Sequence, residues 1–449
     1  MFQSVEISTD LNGLEPLLER LDWLIKQAIS TLQTRKKAEE ELQISWLQKI
    51  EISSEAITIQ IRSDSPLAWL QNTFSLSSFD LDILVIALAP ELDRQYEKIY
   101  AYLQDNMSSK RPTVDLVLNL LCSNIQNKLS RRKHFSNNSP LIYHHLLHLS
   151  SELTLLSAHL FLDSQVIRFL LHQPGLDSRL TICCQLLETT LFADTLSIEE
   201  DVQKKLQTLV KEDWQKQQPL LLYFQGNDGT GKRHTAQIIA KNLEVSLLVA
   251  DFKKIVEDKA HFQDNVKLLW REAWFFNHLL YLDNFDILYL QENSILYQIF
   301  ITELEKHRGI TILAGVQNWI PTATGVKGVI TVPFTIPESK KRRECWQKHL
   351  KTAQISIKDK DLDVLSNRFR LTPNQIADAV ATAYNTARWQ AISTKFSANE
   401  ALENNSYLPK EIKLEFVDLC NAARAQSGHD LANLAQKITP KYTWDDIVL

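Results

Sequence analysis

The sequence predicts an α/β P-loop core with a parallel, doubly wound sheet and further helices after it, preceded by a mostly α-helical, winged-helix-like region. Three observations support this. The apolar run Leu220-Leu221-Leu222-Tyr223-Phe224-Gln225 leads into Gly226-Asn227-Asp228-Gly229-Thr230-Gly231-Lys232, a Gly-x-x-x-x-Gly-Lys pattern with a helical pattern behind it. Apolar runs of strand length then alternate with helical segments as far as Gly315. On either side of that stretch, apolar residues recur at helical spacing.

The glycine loop is the most specific signal. The whole chain has 10 glycines, and Gly226, Gly229 and Gly231 fall together here. Glycines let the backbone curl so that its N–H groups face phosphates, and the following helix N-terminus adds a favourable field. Lys232 is expected to reach the β/γ-phosphates, so Gly226 to Lys232, with Arg233 and His234, form the candidate nucleotide-binding set for ATP or ADP. The hydroxyl that normally follows the lysine to hold Mg²⁺ is replaced by Arg233, which makes metal binding weak or absent.

Composition narrows the function classes. With 449 residues the chain has room for about three domains. A net charge of −5, from 49 basic and 54 acidic residues, gives no global attraction to nucleic acid or anionic membrane. The five cysteines lack metal-ligand spacing, and Cys183-Cys184 read as helical neighbours pointing different ways, buried thiols of a reducing cytosol. The start, Met1-Phe2-Gln3-Ser4, lacks a signal-peptide pattern, and no apolar run approaches the roughly 20 residues that span a bilayer. A cytoplasmic location is expected.

Along the chain, Leu14, Leu17, Leu18, Leu21, Leu24 and Ile25 form an amphipathic stripe, and Ile50 to Ile61 alternates like a short hairpin. Leu76 to Pro90 has a capping serine, an acidic first turn and a nearly all-apolar body that proline is expected to end. Pro112 is placed at the first position of the next-but-one helix. Asn127 to His134 is a basic cluster that reads as a solvated loop. Leu141 to Leu149 reads as helix, Thr154 to Leu162 as short strands, and Asp163 as the cap of a helix. Helices followed by short strand pieces fit winged-helix-like units. Leu196 to Lys211 reads as helix and the polar 212–219 as the approach to the core. Within the core, Val245 to Asp251, His278 to Asn284 and Gly309 to Gly315 are the further strands, with Val329 to Phe334 a last short one; ligands bind beyond the carboxyl ends of such strands. Helices follow from Glu338 to Ala353, Leu362 to Phe369, Pro373 to Trp389 and Glu411 to Gln426.

These motifs together resemble the AAA+ ATPase family. Gly226 to Lys232 matches its Walker A motif, Leu279 to Asp283 its Walker B motif, Thr311 to Asn318 its first sensor strand, and Arg368 to Ile376 its second sensor region. Leu81 to Asp93, Tyr96 to Tyr102 and Arg111 to Leu116 are similar to AAA ATPases with an N-terminal winged-helix region, some of them encoded beside contractile injection systems. In that group a degenerate first AAA module precedes an intact second one, and Ile438 to Leu449 looks like the approach to that second module, absent from this chain. The resemblance implies an N-terminal helical segment at 1–75, a winged-helix-like domain at 76–215, the α/β nucleotide subdomain at 216–337, the lid at 338–395 and a linker at 396–449.

The resemblance also implies roles. Asp283 would touch Mg²⁺, the next residue would orient the attacking water, and Gln317 or Asn318 would sense the γ-phosphate. That next residue is Asn284, which cannot accept a proton; loss of a general base costs on the order of 10²–10⁴-fold. Asp286 is a possible substitute but reads as a loop residue. No arginine stands between Trp319 and Ile330 to serve as a finger; Arg308, ahead of the sensor strand, is the nearest candidate, its plainer reading being a helix C-terminal cation. The expected function is a nucleotide-holding AAA+ module, impaired in hydrolysis, serving ring assembly as a homo-oligomer, possibly a hexamer, beside a catalytic AAA module or subunit and acting on a protein client. The alternatives are a non-enzymatic scaffold with a vestigial P-loop and a winged-helix DNA-binding regulator, the latter disfavoured by the lone basic cluster. No membrane partner is expected.

Overall fold

The computed structural model describes residues 14–41, 63–188, 200–306, 309–320, 328–397 and 414–432. The expected hairpin at 50–61, Arg308 and the closing stretch 438–449 lie outside them. The chain divides into two compact units, one of residues 1–180 with 267–276, the other of 181–266 with 277–449.

The first unit begins with α1 (Glu15–Glu41) and α2 (Pro66–Phe74), then α3 (Ser78–Leu92), α4 (Gln95–Leu103), α5 (Val114–Leu121) and α6 (Ile125–Arg131). The short α7 (Pro140–Tyr143) precedes an antiparallel hairpin, β1 (Leu147–Leu149) with β2 (Leu160–Leu162), and α8 (Ser164–Leu170) closes the unit's N-terminal run. A bridge from Thr113 to His159 ties the start of α5 to the hairpin. Helices backed by a hairpin and a third short bridge make a winged helix.

Helix α3 is the centre of this unit. Ser77 and Asp80 form a reciprocal capping box at its start, and Ile83 to Ala89 are all buried. The helix does not stop at Pro90, as the sequence suggests, but runs on to Leu92. Proline removes the N–H that would bond the carbonyl four residues back. That carbonyl, Ile86 O, instead accepts the buried Tyr100 hydroxyl at 2.9 Å. A tertiary contact supplies the bond that the sequence removes.

Other expectations shift by local geometry. Pro112 precedes the helix, whose cap is Thr113. The basic cluster is not a loop: α6 is followed directly by a 3-10 turn, Arg132–Phe135. Of the expected 141–149 helix only 141–143 is helical, within α7; 147–149 is drawn into β1 by its pairing with β2. Asp163 caps α8 as expected, accepting the Gln165 N–H.

Asp163 also anchors a buried ionic cluster. With 2% of its side chain exposed, it meets Arg271 at 3.0 Å, Arg179 at 2.8 Å and His148 at 2.8 Å. Asp177 bonds Arg271 at 2.9 Å and also pairs with Arg179. Glu272, fully buried, accepts Gln165 Nε2 at 2.9 Å and the Asp177 N–H at 3.2 Å. Two cations already balance two carboxylates, so burial and the adjacent Asp177 push Glu272 up to about 7. Burial alone would raise Asp163 too, but the His148 hydrogen bond and the two guanidinium groups hold it well below the carboxylate range.

The second unit is an α/β sandwich with a helical appendage. Its elements are β3 (Cys184–Leu187), α9 (Glu200–Lys216), β4 (Leu220–Gln225), α10 (Lys232–Asn242), β5 (Leu247–Asp251), α11 (Phe252–Glu257), α12 (Phe262–Phe275), β6 (Leu279–Asp283), α13 (Ser294–Leu304), β7 (Ile310–Gly315) and β8 (Val329–Pro333). Helix α9 runs to Lys216, through much of what reads as a polar approach to the core, and the second half of α12 is counted with the first unit. The sheet order is β3-β5-β6-β7-β4-β8, parallel except for β3, which lies antiparallel on β5. Cys184 therefore opens an edge strand and Cys183 sits in the turn before it, neither of them on a helix. Strand β7 is buried along its whole length, as a central parallel strand must be. The appendage is α14 (Ser339–Thr352), α15 (Asp359–Arg368), α16 (Pro373–Ser397) and α17 (Phe416–Ala432), packed around Trp346, Leu350, Leu365, Ile376 and Leu419. Among the described residues, no helix is long and apolar enough to cross a membrane.

Candidate functional site

The P-loop lies where β4 ends between β7 and β8, the point at which strand order reverses. Gly226 N–H bonds the Gly315 carbonyl at 2.9 Å, stitching the loop to the end of β7. Gly229 has φ +78° and Gly231 φ +97°, left-handed values that side chains other than glycine disfavour. A Cβ on Gly229 would also stand 2.6 Å from Thr372 Oγ1, because the loop before α16 lies against the P-loop. The loop is shaped as a cradle that a side chain would fill.

Lys232 is 6% exposed and opens α10. Its ammonium donates to the carbonyls of Gly226 and, at 3.3 Å, Gly315, and pairs with Asp228 at 3.8 Å. Burial lowers its pKa, opposed by Asp228 and Asp283. The N–H groups of the first turn of α10 have no partner within the helix, so the cradle joins a buried cation to outward-facing donors. That is the chemistry of a polyphosphate site. Thr230 is buried and bonds Asn227 O at 2.7 Å, while Asn227 and Asp228 are exposed.

Arg233 does not turn to the cradle. Its guanidinium donates to Gln185 Oε1 on β3 at 2.7 Å. It offers no metal-binding oxygen and is held by the edge strand; a role on phosphate, open from the sequence, is not what this side chain does here. His234 follows it, half-buried, on the same helix.

The β6 side of the site is built differently. Asp283 ends β6 in register with Asp251 at the end of β5, and burial raises its pKa. Its carboxylate accepts the Asn284 N–H at 3.1 Å. Asn284 sits at φ 56°, ψ 38°, a left-handed turn that asparagine tolerates better than most residues. Its amide donates to Asp251 Oδ1 at 2.8 Å. Asn284 is thus a hydrogen-bond donor committed to a neighbouring strand.

Asp286 is also committed. It accepts the N–H groups of Val316 at 2.5 Å and Gln317 at 2.9 Å, and Tyr223 Oη donates to Gln317 O at 2.5 Å. Gly315 leaves room for this arrangement, since a Cβ there would run into the Tyr223 hydroxyl and the Asp286 carboxylate. The carboxylate fixes the loop after β7 and leaves Gln317 and Asn318 exposed at the sheet's carboxyl edge.

The structure thus gathers the loop 226–232, Asp283, Asn284 and the 317–318 loop at one edge, and diverts Arg233 from it. Asp251, Tyr223 and Thr372 are the residues that the sequence did not single out. Asp251 was signalled in the same way as Asp283, as an acid ending an apolar strand; the other two depend on contacts over long sequence separation. Among the described residues, no group of three or more His, Cys, Asp and Glu side chains could hold a metal ion.

Comparison with known proteins bears on the same architecture. Residues 31–182 match the family model described as a winged helix domain, variant, and residues 338–429 match that of the contractile injection system ATPase helical domain. By these two matches the chain carries a winged-helix domain ahead of its α/β core and an injection-system ATPase helical domain after it. The FIGL-1 AAA domain is a solved structure similar to part of this chain, at 12% identity over 57% of this chain and 94% of that one, TM-score 0.43. Its complex with ADP gives 13%, 57%, 92% and 0.42 in the same order. A katanin structure on self-assembly gives 18%, 53%, 85% and 0.39. No curated relative matches the chain.

Proposed function

We propose that this chain is a nucleotide-holding AAA+ module of a contractile-injection-system ATPase, which binds ATP or ADP through Gly226 to Lys232 and turns it over slowly or not at all. The observation that carries this reading is Asn284: where the resemblance places a water-orienting carboxylate, an amide donates to Asp251. A donor there cannot take the proton of an attacking water, and absence of a general base slows the step by on the order of 10²–10⁴-fold. The cradle beside it keeps its glycines and its buried lysine, which supports binding.

In this reading Lys232 neutralises the phosphates, Asp283 is the remaining ligand for Mg²⁺, and Gln317 and Asn318 report on the terminal phosphate. Mg²⁺, when bound, would supply charge neutralisation between phosphates. Arg233 adds nothing to it, so metal dependence is weak. The output is conformational: nucleotide occupancy sets the posture of the helical lid, residues 338–395, and so the packing of neighbouring copies in a ring. The winged-helix region and the linker at 396–449 serve attachment to a catalytic module or client, and we place the assembly in the cytoplasm. The matching injection-system model over the helices from α14 onward supports the assignment of pathway.

Equilibrium binding tests it. Calorimetry with ADP and with ATP is expected to give saturable one-site binding that Lys232→Ala weakens on the order of 100-fold, with mass photometry showing larger assemblies only in the nucleotide-bound sample. No heat with either nucleotide up to millimolar concentration would reduce the P-loop to a structural corner and end the proposal.

A further inference from the structure

The only adjacent cysteines of the chain, Cys183 and Cys184, are a feature that nucleotide binding does not use. Their sulfur atoms lie 3.6 Å apart at the start of β3, the edge strand of the core sheet. Cys183 is half-buried with the exposed Ile182 before it, while Cys184 is buried. The Cys184 thiol, bonding to Cys183, holds the latter below the ordinary thiol range against burial, and Lys254 adds to this. Lys254 is held close by its own bond to Ile182 O at 3.2 Å.

The pair is wired to the site through the backbone. Cys183 O accepts the Asp251 N–H at 2.9 Å, and Asp251 Oδ1 accepts the Asn284 amide. The peptide between the two cysteines therefore supports the residue that holds Asn284 in place.

We propose that Cys183 and Cys184 form a redox-active vicinal dithiol, which a hydroperoxide closes to a disulfide, loosening Asp251. In the first step the Cys183 thiolate attacks the terminal peroxide oxygen. An S–O bond forms, the O–O bond breaks, and the departing alkoxide takes the proton that Cys183 gave up. In the second step the Cys184 sulfur attacks the sulfenic sulfur. The S–S bond forms, and the hydroxyl leaves as water with the Cys184 proton. Two thiols lose two electrons, and the hydroperoxide is reduced to an alcohol. The side chains are already in contact, but closing the ring places the peptide between the two cysteines, with its Cys183 carbonyl carbon, inside it. Consecutive Cα atoms are about 3.8 Å apart, below the roughly 4.4 Å lower limit of ordinary disulfides, so the bond is strained and dithiols reopen it readily. The same strain turns the carbonyl away from the Asp251 N–H.

The test uses the full chain treated with hydrogen peroxide, then with N-ethylmaleimide. Mass spectrometry of the peptide containing Ile182 to Gln185 should show loss of two hydrogens and no alkylation, reversed by dithiothreitol. Cys184→Ser should instead leave a dimedone-reactive sulfenic acid on Cys183. In the oxidised wild type the Asp251 amide should exchange its hydrogen about tenfold faster than in the reduced protein, and peroxide-treated Cys183→Ser should show no such change. Full alkylation of both cysteines after peroxide, a bond from Cys183 to another cysteine, or unchanged Asp251 exchange in the closed form would each overturn the proposal. None of these readouts involves nucleotide, so the dithiol can fail while the nucleotide-binding reading stands, and the reverse.

Discussion

Two halves of one sheet edge have been kept to different standards. At the end of β4, every feature a phosphate needs is present: left-handed glycines, a buried lysine and a helix N-terminus. At the ends of β5, β6 and β7, the polar groups bond to one another instead. Asn284 holds Asp251, and Asp286 holds the amides of 316 and 317. Binding needs donors that are free to meet a ligand, whereas hydrolysis needs a carboxylate free to meet water. An amide has no basic lone pair to give and a carboxylate taken up by two backbone N–H groups is held from water, whereas Lys232 keeps its charge while bonded to carbonyls. In the function proposed above, the contrast between the halves separates holding a nucleotide from cleaving it.

The largest expected effect breaks the binding half. Lys232→Ala removes a charged donor from a dry cradle, where such hydrogen bonds are worth up to about 3 kcal/mol, so ADP affinity should fall on the order of 100-fold by calorimetry. Repairing the other half sharpens the comparison. Asn284→Glu combined with Arg233→Thr restores a carboxylate and a metal-ligating hydroxyl. The pair should raise ATP turnover about 100-fold over wild type, and either change alone less than about tenfold, measured by phosphate release.

A smaller effect separates the nucleotide half from the winged-helix unit, whose buried charges titrate. The Glu272 carboxyl stands at about 7 when folded against 4.5 otherwise. Its neutral form is the one burial tolerates, so its cost appears as pH rises above 4.5 and is complete above about 7, at most about 3 kcal/mol. Asp163 runs the other way: its folded pKa is depressed, so its stabilisation is full above the ordinary carboxylate range and is lost as pH falls through it. Hydrogen exchange in residues 63–180 should therefore quicken from pH 5 to pH 8 beyond the intrinsic rate, and Glu272→Gln should remove that excess. The smallest effect is at α3, where Ser77→Ala deletes one arm of the capping box and should cost about 1 kcal/mol.

What the sequence disclosed follows the same divide between local and distant causes. The glycine loop, the capped apolar helix α3 and the strand ending at Asp283 are legible because their signals lie within a few residues. Pro90 misleads because its missing bond is replaced by Tyr100, beyond the reach of any local rule. Leu147 to Leu149 reads as helix until β2 is there to pair with it. Cys183 and Cys184 look like helix residues because nothing near them announces an edge strand, which exists only by pairing with β5. In the site, the loss at Asn284 is plain in the sequence, but the destination of its amide on Asp251, and of Arg233 on Gln185, is not.

A single-turnover experiment tests the central claim most directly. Purified full-length protein in excess is mixed with γ-labelled ATP, and both bound nucleotide and released phosphate are followed. The account predicts that ATP binds and remains intact over many minutes, with Lys232→Ala losing the bound fraction. Rapid conversion to ADP and phosphate, abolished by Asp283→Ala, would contradict it.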